Sequence, residues 1–365
     1  MPNKIRVVHI SRGFEDYVLD LLSTLGEAVE LHQVLAEADE WMEEQIPDNV
    51  NVIRSKAKRV SSFANIISIA RLYKLIRCIK PDLIHLQNGV IWEGLLPLLF
   101  PKIPVVVTVH DVTRHPIQKF QFVTPQFLLD FVAKSADSLI VHGEKLREKA
   151  REYYKPKAKI HVVPHGVITR YGGSSGKVST GSNVLLFGTI DKWKGVEFLV
   201  QAEPLVREKL PDLQVKIAGG CRDITYYTSL TSKDQHVEMI LRKQSPEEVN
   251  WLFEWADIIV LPYIEASQSG VLNLALNYCL PPVVTDVGAL PDVVSNGRNG
   301  LIVEPENSSA LAEAILRLLT DEELRANVVQ NLSKDKAGIH SRNSIAAQTL
   351  KVYRNTVSTA YYVGK

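Results

Sequence analysis

The sequence has few of the features that mark secreted or metal-binding proteins. Its 365 residues include only three cysteines, Cys78, Cys221 and Cys279, which lie far apart and outside any CxxC or HxxxH spacing. Their number and spacing predict neither a disulfide framework nor a zinc site. The first apolar stretch, residues 5–10, is too short for the core of a signal peptide. We therefore expect a cytoplasmic protein that is not secreted.

An excess of one charge and a long apolar run are also missing. The 42 Lys and Arg residues offset 41 Asp and Glu residues, so the chain has no overall electrostatic footprint for nucleic acid. The longest apolar stretch, residues 90–109, is interrupted by Glu93, Lys102 and three prolines, which excludes a membrane-spanning helix there. A composition of 45% hydrophobic and 23% charged residues indicates a globular chain, and its length predicts roughly two domains.

Short β-branched runs alternate with amphipathic stretches in both halves of the chain. The predicted strands are residues 5–10, 51–54, 83–86, 105–109, 138–141 and 160–163, then 184–187, 214–218, 237–240, 258–261, 283–285 and 301–303. Their largely continuous apolar character indicates parallel strands covered on both faces. One helix start is especially clear, because Ser245, Pro246 and Glu248 form a capping-box pattern. The predicted fold class is α/β, with two Rossmann-like doubly wound parallel-sheet domains.

A segment rich in glycine and serine, residues 171–182, separates the two series of strands and has the composition of a flexible linker. The predicted organisation is a first domain at 1–168, a linker at 169–182, a second domain at 183–340 and a C-terminal helical segment at 341–365. The last helix could pack back on the first domain.

The linker also contains Gly172-x-Ser174-x-Gly176, the pattern of the nucleophile elbow in hydrolases. That motif needs a strand before it and a helix after it. Neither pattern is present around it, so the linker interpretation is preferred over a hydrolase.

Ligands of doubly wound sheets bind beyond the carboxyl ends of the strands, so the loops that follow the strands are the places to search. Gly13 follows the first strand and lets the backbone approach a ligand. His110 and Asp111 form a polar pair at the tip of the strand at 105–109. Each also has a structural interpretation, since glycines make turns and single histidines often fill core positions.

Two loops of the second half suit a phosphate. Lys194 precedes a helix, so that its ammonium group and the helix amides could bind one anion together. A second helix start, whose free amides suit a diphosphate, consists of Ser267, Gln268, Ser269 and Gly270. The structural alternatives are a solvated loop lysine and an ordinary serine N-cap.

Motifs in both halves resemble the retaining glycosyltransferases of family 4, which have the GT-B architecture. In the second half they are Phe187-Gly-Thr-Ile-Asp-Lys-Trp-Lys-Gly195, Ala256-Asp-Ile-Ile-Val-Leu-Pro262, Pro282-Val-Val-Thr-Asp-Val-Gly-Ala-Leu-Pro-Asp292 and Asn299-Gly-Leu-Ile-Val-Glu-Pro305. Weaker signatures in the first half are Pro81-Asp-Leu-Ile-His85, Thr108-Val-His110 and Val163-Pro-His-Gly-Val167. The resemblance implies two Rossmann-like domains facing a cleft.

By position, the resemblance also implies a site for a nucleotide-diphosphate sugar, with no metal and no other cofactor. Lys194 would bind the donor diphosphate, and the helix start from Ser267 to Val271 would hold donor phosphate and sugar. Gly13 would lie by the phosphates, and His110, the candidate catalytic residue, would touch the donor sugar. The implied mechanism is a front-face displacement in which the leaving diphosphate helps to accept the proton of the acceptor.

Some positions depart from the family pattern. Family members commonly carry an arginine where this chain has Thr189, and Lys192 could supply that charge without the arginine's bidentate geometry. They also carry two glutamates eight residues apart, and these positions fall on Ser267 and Ala275 when Gly270 and Pro282 anchor the comparison. A shift of two residues instead selects Glu265 and Asn273, which, like Asp111, could hydrogen-bond sugar hydroxyls.

A local basic segment interrupts the balanced charge. No acidic residue occurs between Asp48 and Asp82. The segment contains eight cations: Arg54, Lys56, Lys58, Arg59, Arg71, Lys74, Arg77 and Lys80. These charges could draw the protein to the inner face of an anionic membrane or to a phosphorylated acceptor.

Three functions are compatible with these patterns. The first is a hexosyl- or glycosyltransferase that moves a sugar from a nucleotide-diphosphate donor to a glycan or lipid-linked acceptor, in polysaccharide or glycoconjugate biosynthesis. The second is a non-catalytic GT-B partner or binding protein, because the usual glutamates and arginine are missing. The third is a nucleotide-sugar epimerase on the same two-domain plan.

Overall fold

The computed structural model describes residues 4–11, 13–36, 42–55, 64–87, 96–113, 126–173, 181–232 and 235–363. The chain forms two compact units. The first unit contains the residues up to Gly166 and those from Arg342 onward, whereas the second is Val167–Ser341.

The first unit is a parallel sheet covered by helices. Its elements are β1 (Arg6–Ile10), α1 (Glu15–Ala28), β2 (Glu30–Ala36), β3 (Val50–Ser55), α2 (Ala64–Ile79), β4 (Leu83–Gln87), α3 (Leu96–Leu99), β5 (Val105–Thr108), α4 (Gln126–Ser135), β6 (Ser138–Val141), α5 (Glu144–Tyr154), β7 (Lys159–Val162) and α13 (Arg342–Val363). Within the described residues the sheet has seven strands in the order β3-β2-β1-β4-β5-β6-β7. Val352 and Tyr353 of the C-terminal helix α13 join the same buried cluster as the leucines of α1.

The second unit repeats this architecture. Its elements are β8 (Asn183–Phe187), a 3₁₀ turn (Lys192–Lys194), α6 (Val196–Arg207), β9 (Gln214–Ala218), α7 (Ile224–Ser229), β10 (Val237–Ile240), α8 (Pro246–Trp255), β11 (Ile258–Leu261), α9 (Gly270–Tyr278), β12 (Pro282–Thr285), α10 (Leu290–Val293), β13 (Leu301–Val303), α11 (Ser308–Thr320) and α12 (Glu322–Ala337). The described strands form a six-stranded parallel sheet in the order β10-β9-β8-β11-β12-β13. The predicted fold class of two doubly wound parallel sheets is confirmed, and the capping box before α8 is present.

One strand of the first unit was not predicted from the sequence. The strand β2, Glu30–Ala36, pairs in parallel with both β1 and β3. His32 and Gln33 interrupt its apolar run and conceal it from a hydrophobic pattern. The structure buries Gln33 completely and satisfies its amide with hydrogen bonds, which is how a polar residue occupies an internal strand.

The two units divide between Gly166 and Val167, earlier than the linker placed at 169–182. Residues 169–173 belong to the second unit, where Tyr278 donates a hydrogen bond of 2.6 Å to the carbonyl of Tyr171. The Asn277 amide donates to the carbonyl of Gly172. Ser174 and Gly176 of the hydrolase-like pattern lie outside the described residues.

The basic segment is only partly described, since Lys56, Lys58 and Arg59 lie outside the described residues. Helix α2 turns Leu72 and Ile76 into the core of the first unit, while its cations Arg71, Lys74 and Arg77, with Lys80 beyond its end, are exposed. Arg54 makes two hydrogen bonds of 2.9 Å to Glu43, so its charge is paired. Within the described part of the chain, every helix is too short or too polar to cross a membrane.

Candidate functional site

Backbone turns at the carboxyl end of the second sheet bring the predicted phosphate loop against the end of β11. Gly195 closes the 3₁₀ turn with φ of +64°, in the left-handed region that favours glycine. A Cβ atom at this position would lie 2.0 Å from the carbonyl oxygen of Pro262, which directly follows β11. This approach sets Lys194 beside Tyr263.

Lys194 is buried although it carries an ammonium group. Only 5% of its surface is exposed, and its Nζ donates a hydrogen bond of 2.5 Å to Tyr263 Oη. The same atom lies 4.2 Å from the ring centroid of Trp193 and 3.8 Å from that of Tyr263. Among the residues that the structure describes, no Asp or Glu carboxylate forms an ion pair with Lys194. Burial consequently lowers the pKa of Lys194 well below its ordinary value.

Tyr263 connects this lysine to the start of α9. Its hydroxyl lies 3.2 Å from Ser269 Oγ, and Ser269 caps the helix by accepting from the Leu272 amide at 3.2 Å. The first amides of α9, at Gly270 and Val271, are of the kind that a helix start leaves without an intrahelical acceptor. The structure thus unites three of the predicted donor-binding groups in one hydrogen-bonded cluster: Lys194, Ser269 and the α9 start.

Two buried side-chain oxygens beside this cluster have no hydrogen-bond partner among the described residues. They are Gln268 Oε1 and Asn273 Oδ1, while Asn273 Nδ2 donates to the carbonyl of Ser269 at 2.9 Å. An unpaired buried oxygen costs folding free energy unless a donor reaches it. Both oxygens are enclosed, so a ligand hydroxyl or N–H group could donate to them only once they are uncovered.

The other predicted residues of this unit lie in more open positions. Thr189, Lys192 and Glu265 are exposed, and Ser267 is half-buried, with its carbonyl accepting from the Ala289 amide at 3.1 Å. Ala275 is fully buried in the apolar core, so it offers no polar group at the second glutamate position. The roles of these residues toward a donor stay predictions.

His110 of the first unit is enclosed rather than open to ligand. Its ring has no exposed surface, and the ring of Phe14 stacks on it with centroids 3.6 Å apart. Its Nε2 lies 2.8 Å from Gln87 Oε1 and its Nδ1 lies 3.1 Å from His142 Nε2. Both ring nitrogens are thus engaged within the protein, so contact with a sugar would require the ring to be uncovered. Gly13, by contrast, faces open space, and Asp111 is half-buried and has a partner of its own.

Sequence reasoning missed the polar groups that surround His110. Five buried side chains form a continuous series across neighbouring strands, here called the His–Gln chain: Gln33 on β2, His9 on β1, Gln87 at the end of β4, His110 after β5 and His142 after β6. Their only signal in the sequence is a polar residue inside or directly after an apolar strand run.

Burial shapes the electrostatics of this chain. It lowers the pKa of His9 to about 4 and that of His142 to about 3, because the charged ring loses its hydration. Although the unit concentrates histidines, no group of three His, Cys, Asp or Glu side chains in the described segments is arranged to hold a metal ion.

Comparison with known proteins places both halves of the chain in one group. Residues 181–321 match the family model described as glycosyl transferases group 1, and residues 11–171 match the model of glycosyltransferase family 4. The chain belongs to the family 4-like glycosyltransferases of GT-B fold. This family assignment agrees with the resemblance carried by the sequence motifs.

Individual relatives are similar over part of the sequence or over the whole fold. A D-inositol 3-phosphate glycosyltransferase of Paenarthrobacter aurescens is 29% identical over 187 residues, which are 48% of this chain and 44% of that protein. The chain thus spans about half the length of several curated relatives that it matches. The structure of a sucrose-phosphate synthase from Thermosynechococcus elongatus matches 98% of this chain and 100% of its own, with a TM-score of 0.76 and 17% identity. Anabaena HepE, solved in complex with UDP, matches 96% and 100% with a TM-score of 0.73 and 16% identity.

Proposed function

We propose that this protein is a retaining glycosyltransferase that transfers a sugar from a nucleoside-diphosphate donor to a hydroxyl group of a glycan or lipid-linked acceptor. The observation that carries the proposal is Lys194, a buried lysine with no carboxylate partner in the described part of the chain, connected through Tyr263 to a helix start. A bound anion would stabilise this arrangement most, because its negative charge would pair with the protonated lysine and accept hydrogen bonds from the helix amides.

A diphosphate satisfies what the cluster lacks. It would pair with the Lys194 ammonium and accept from the first amides of α9, while the sugar hydroxyls could donate to Gln268 Oε1 and Asn273 Oδ1 once these oxygens are uncovered. We propose UDP-sugars as the first donors to test, since the structural relative from Anabaena was crystallised with UDP and with UDP-glucose.

The proposed reaction is balanced without a protein nucleophile. The bond between the anomeric carbon and the diphosphate oxygen breaks through an oxocarbenium-like state, and the acceptor oxygen attacks on the same face. The acceptor hydroxyl loses its proton to the leaving diphosphate, whose charge Lys194 and the α9 amides stabilise. In this proposal no metal ion takes part.

The test is release of UDP from UDP-glucose by the full-length protein, with and without a glycan acceptor, and proton NMR of the product to read the anomeric configuration. Lys194→Met is expected to lose the release, and Lys209→Met, which changes an exposed lysine of the same unit, serves as its matched control. Retention of configuration and an unchanged rate with EDTA would support the proposal. An inverted product or a rate abolished by EDTA would contradict it.

One observation favours the non-catalytic alternative. The two positions that usually carry glutamates hold Ser267 and the fully buried Ala275 in one register, and the exposed Glu265 with the buried Asn273 in the other. A binding protein would take up UDP without releasing it from UDP-glucose, whereas an epimerase would yield an altered nucleotide sugar with no acceptor present.

We also propose a cytoplasmic protein that contacts the inner face of an anionic membrane through the exposed cations of α2. A cation near such a surface contributes about 1 kcal/mol. Co-sedimentation with phosphatidylserine liposomes should fall when Arg71, Lys74 and Arg77 are replaced by glutamine. Unchanged co-sedimentation would remove the membrane contact from the proposal.

A further inference from the structure

Both ends of the His–Gln chain terminate on backbone carbonyl groups. Gln33 Nε2 donates to the carbonyl oxygen of Val34 at 2.8 Å, and His142 Nδ1 lies 3.0 Å from that of Val163. A carbonyl oxygen can only accept, so each end of the chain must direct a proton outward. The orientation of the Gln33 amide and the tautomer of His142 are both fixed by this requirement.

The contacts that lead inward from Gln33 all run in one direction. Gln33 Oε1 accepts from His9 Nδ1 at 2.5 Å, so a neutral His9 has its lone pair on Nε2. That lone pair accepts from Gln87 Nε2 at 2.9 Å, and Gln87 Oε1 accepts from His110 Nε2 at 2.8 Å. A neutral His110 therefore has its lone pair on Nδ1.

The hydrogen bonds that lead inward from His142 run in the opposite direction. His142 carries its proton on Nδ1, so its Nε2 also presents a lone pair, and it lies 3.1 Å from His110 Nδ1. Reversing the Gln87 amide only moves the mismatch, so that Gln87 Oε1 then faces the lone pair on His9 Nε2. The mismatch persists because each neutral group donates one hydrogen bond and accepts one along the chain. The chain contains six contacts in series, and its five neutral groups supply a proton to five of them.

We infer that the His–Gln chain is a buried acceptor for one proton, which is held between His110 Nδ1 and His142 Nε2. Adding this proton turns the one mismatched contact into a charge-assisted hydrogen bond. The Tyr17 ring, whose centroid lies 5.3 Å from that of His110 and 5.1 Å from that of His142, favours the resulting cation.

Other groups disfavour protonation of this pair and determine the pH at which it occurs. Burial lowers the pKa of both rings, and a positive charge on His165 or His85 would oppose protonation of His110. We therefore expect the proton to bind below neutral pH in the free protein. An anion at this edge of the sheet would raise the affinity for the proton.

The test is a pH titration of the full-length protein with ¹⁵N-labelled histidines, followed by long-range ¹H–¹⁵N spectra from about pH 8 down to the onset of acid unfolding. Burial alone would protonate His9, with a pKa of about 4, before His142, with a pKa of about 3. The mismatched contact predicts the reverse order, in which His110 and His142 acquire protonated-nitrogen shifts together while His9 remains neutral. Gln87→Met divides the chain into two halves, and each half is satisfied by neutral rings. The His110–His142 pair of this variant should bind the proton about tenfold more weakly than that of the wild type, because about this much affinity comes from one charge-assisted hydrogen bond.

Thr108→Val is the matched control, because Thr108 Oγ1 contacts His85 Nε2 at 2.7 Å beside the chain and not within it. This variant should titrate like the wild type. Gln33→Met removes the hydrogen bond that fixes the direction of the His–Gln chain at its other end. It should lower the affinity of the His110–His142 pair for the proton as Gln87→Met does, so the test remains possible if one variant fails to fold. A wild-type pair that stays neutral until the protein unfolds, or equal titration of the wild type and Gln87→Met, would overturn the inference.

Discussion

Replacing Lys194 by methionine tests the proposed donor site most directly. Methionine keeps the apolar stem against Trp193 and Tyr263 and removes only the ammonium group, which makes one hydrogen bond to Tyr263 in the free protein. Because the charged form is already disfavoured by burial, the folded protein should lose little stability.

The effect on ligand binding should be large. A hydrogen bond to a charged group is worth about 1.5–3 kcal/mol, so the dissociation constant for UDP should rise roughly 10- to 150-fold. At a ligand concentration about 100 times the wild-type dissociation constant, stabilisation by UDP should fall from about 2.7 kcal/mol to about 0.3–1.4 kcal/mol. Isothermal titration calorimetry gives the first quantity, and denaturant unfolding with and without UDP gives the second.

The pH dependence supplies an independent measure of the same group. UDP binds the charged lysine, and the pKa of free Lys194 is lowered by burial, so affinity should decline as pH rises through that lowered value. An ordinary solvated lysine would lose affinity only near its usual pKa of about 10.4. Lys209→Met, which changes an exposed lysine of the same unit, should alter the affinity for UDP less than about threefold and keep this profile. Equal affinity for UDP in the wild type and Lys194→Met would refute the assignment.

Further expectations concern stability and access to His110. Gly195→Ala should destabilise the protein by about 2–4 kcal/mol in urea unfolding, since its Cβ would collide with a carbonyl oxygen, whereas Gly297→Ala, also at positive φ but in open space, should cost about 1 kcal/mol. Equal costs would contradict the close approach. As pH falls from 6.5 to about 5, His9 becomes protonated in the unfolded chain but stays neutral in the folded chain, where its pKa is about 4, so the free energy of unfolding should drop by about 1.6 kcal/mol. A flat profile in urea unfolding would show that His9 is not buried. Phe14→Gly should uncover His110 and raise its pKa toward 6.5 in an NMR titration, and an unchanged titration would mean that another group covers the ring.

Local patterns predicted most of the fold. All twelve strands expected from β-branched apolar runs are present within one residue of their predicted ends, and the capping box before α8 formed as its residues indicate. These elements depend on periodicity and capping, which act between residues close in the chain. Strand β2 was missed because Gln33 interrupts its apolar run and is satisfied by His9 and Ser11, which lie more than 20 positions away in the chain.

The candidate site divides along the same line. Lys194 and the α9 start could be found because each combines a charge or a cap with a loop after a strand. Tyr263, which joins them, has no local signal, since its contact with Lys194 spans 69 positions. The cover of Phe14 over His110 likewise depends on two distant loops.

The sequence alone determined which segments are strands and helices, how they alternate and where polar groups follow strand ends, because those properties arise from short-range pattern. Only the tertiary structure decided that Lys194 is buried without a carboxylate in the described chain, and that His110 is enclosed within a series of hydrogen bonds. Burial, and the direction in which a hydrogen bond must point, are set by neighbours that the chain brings together from afar, and they are what give these two residues their chemistry.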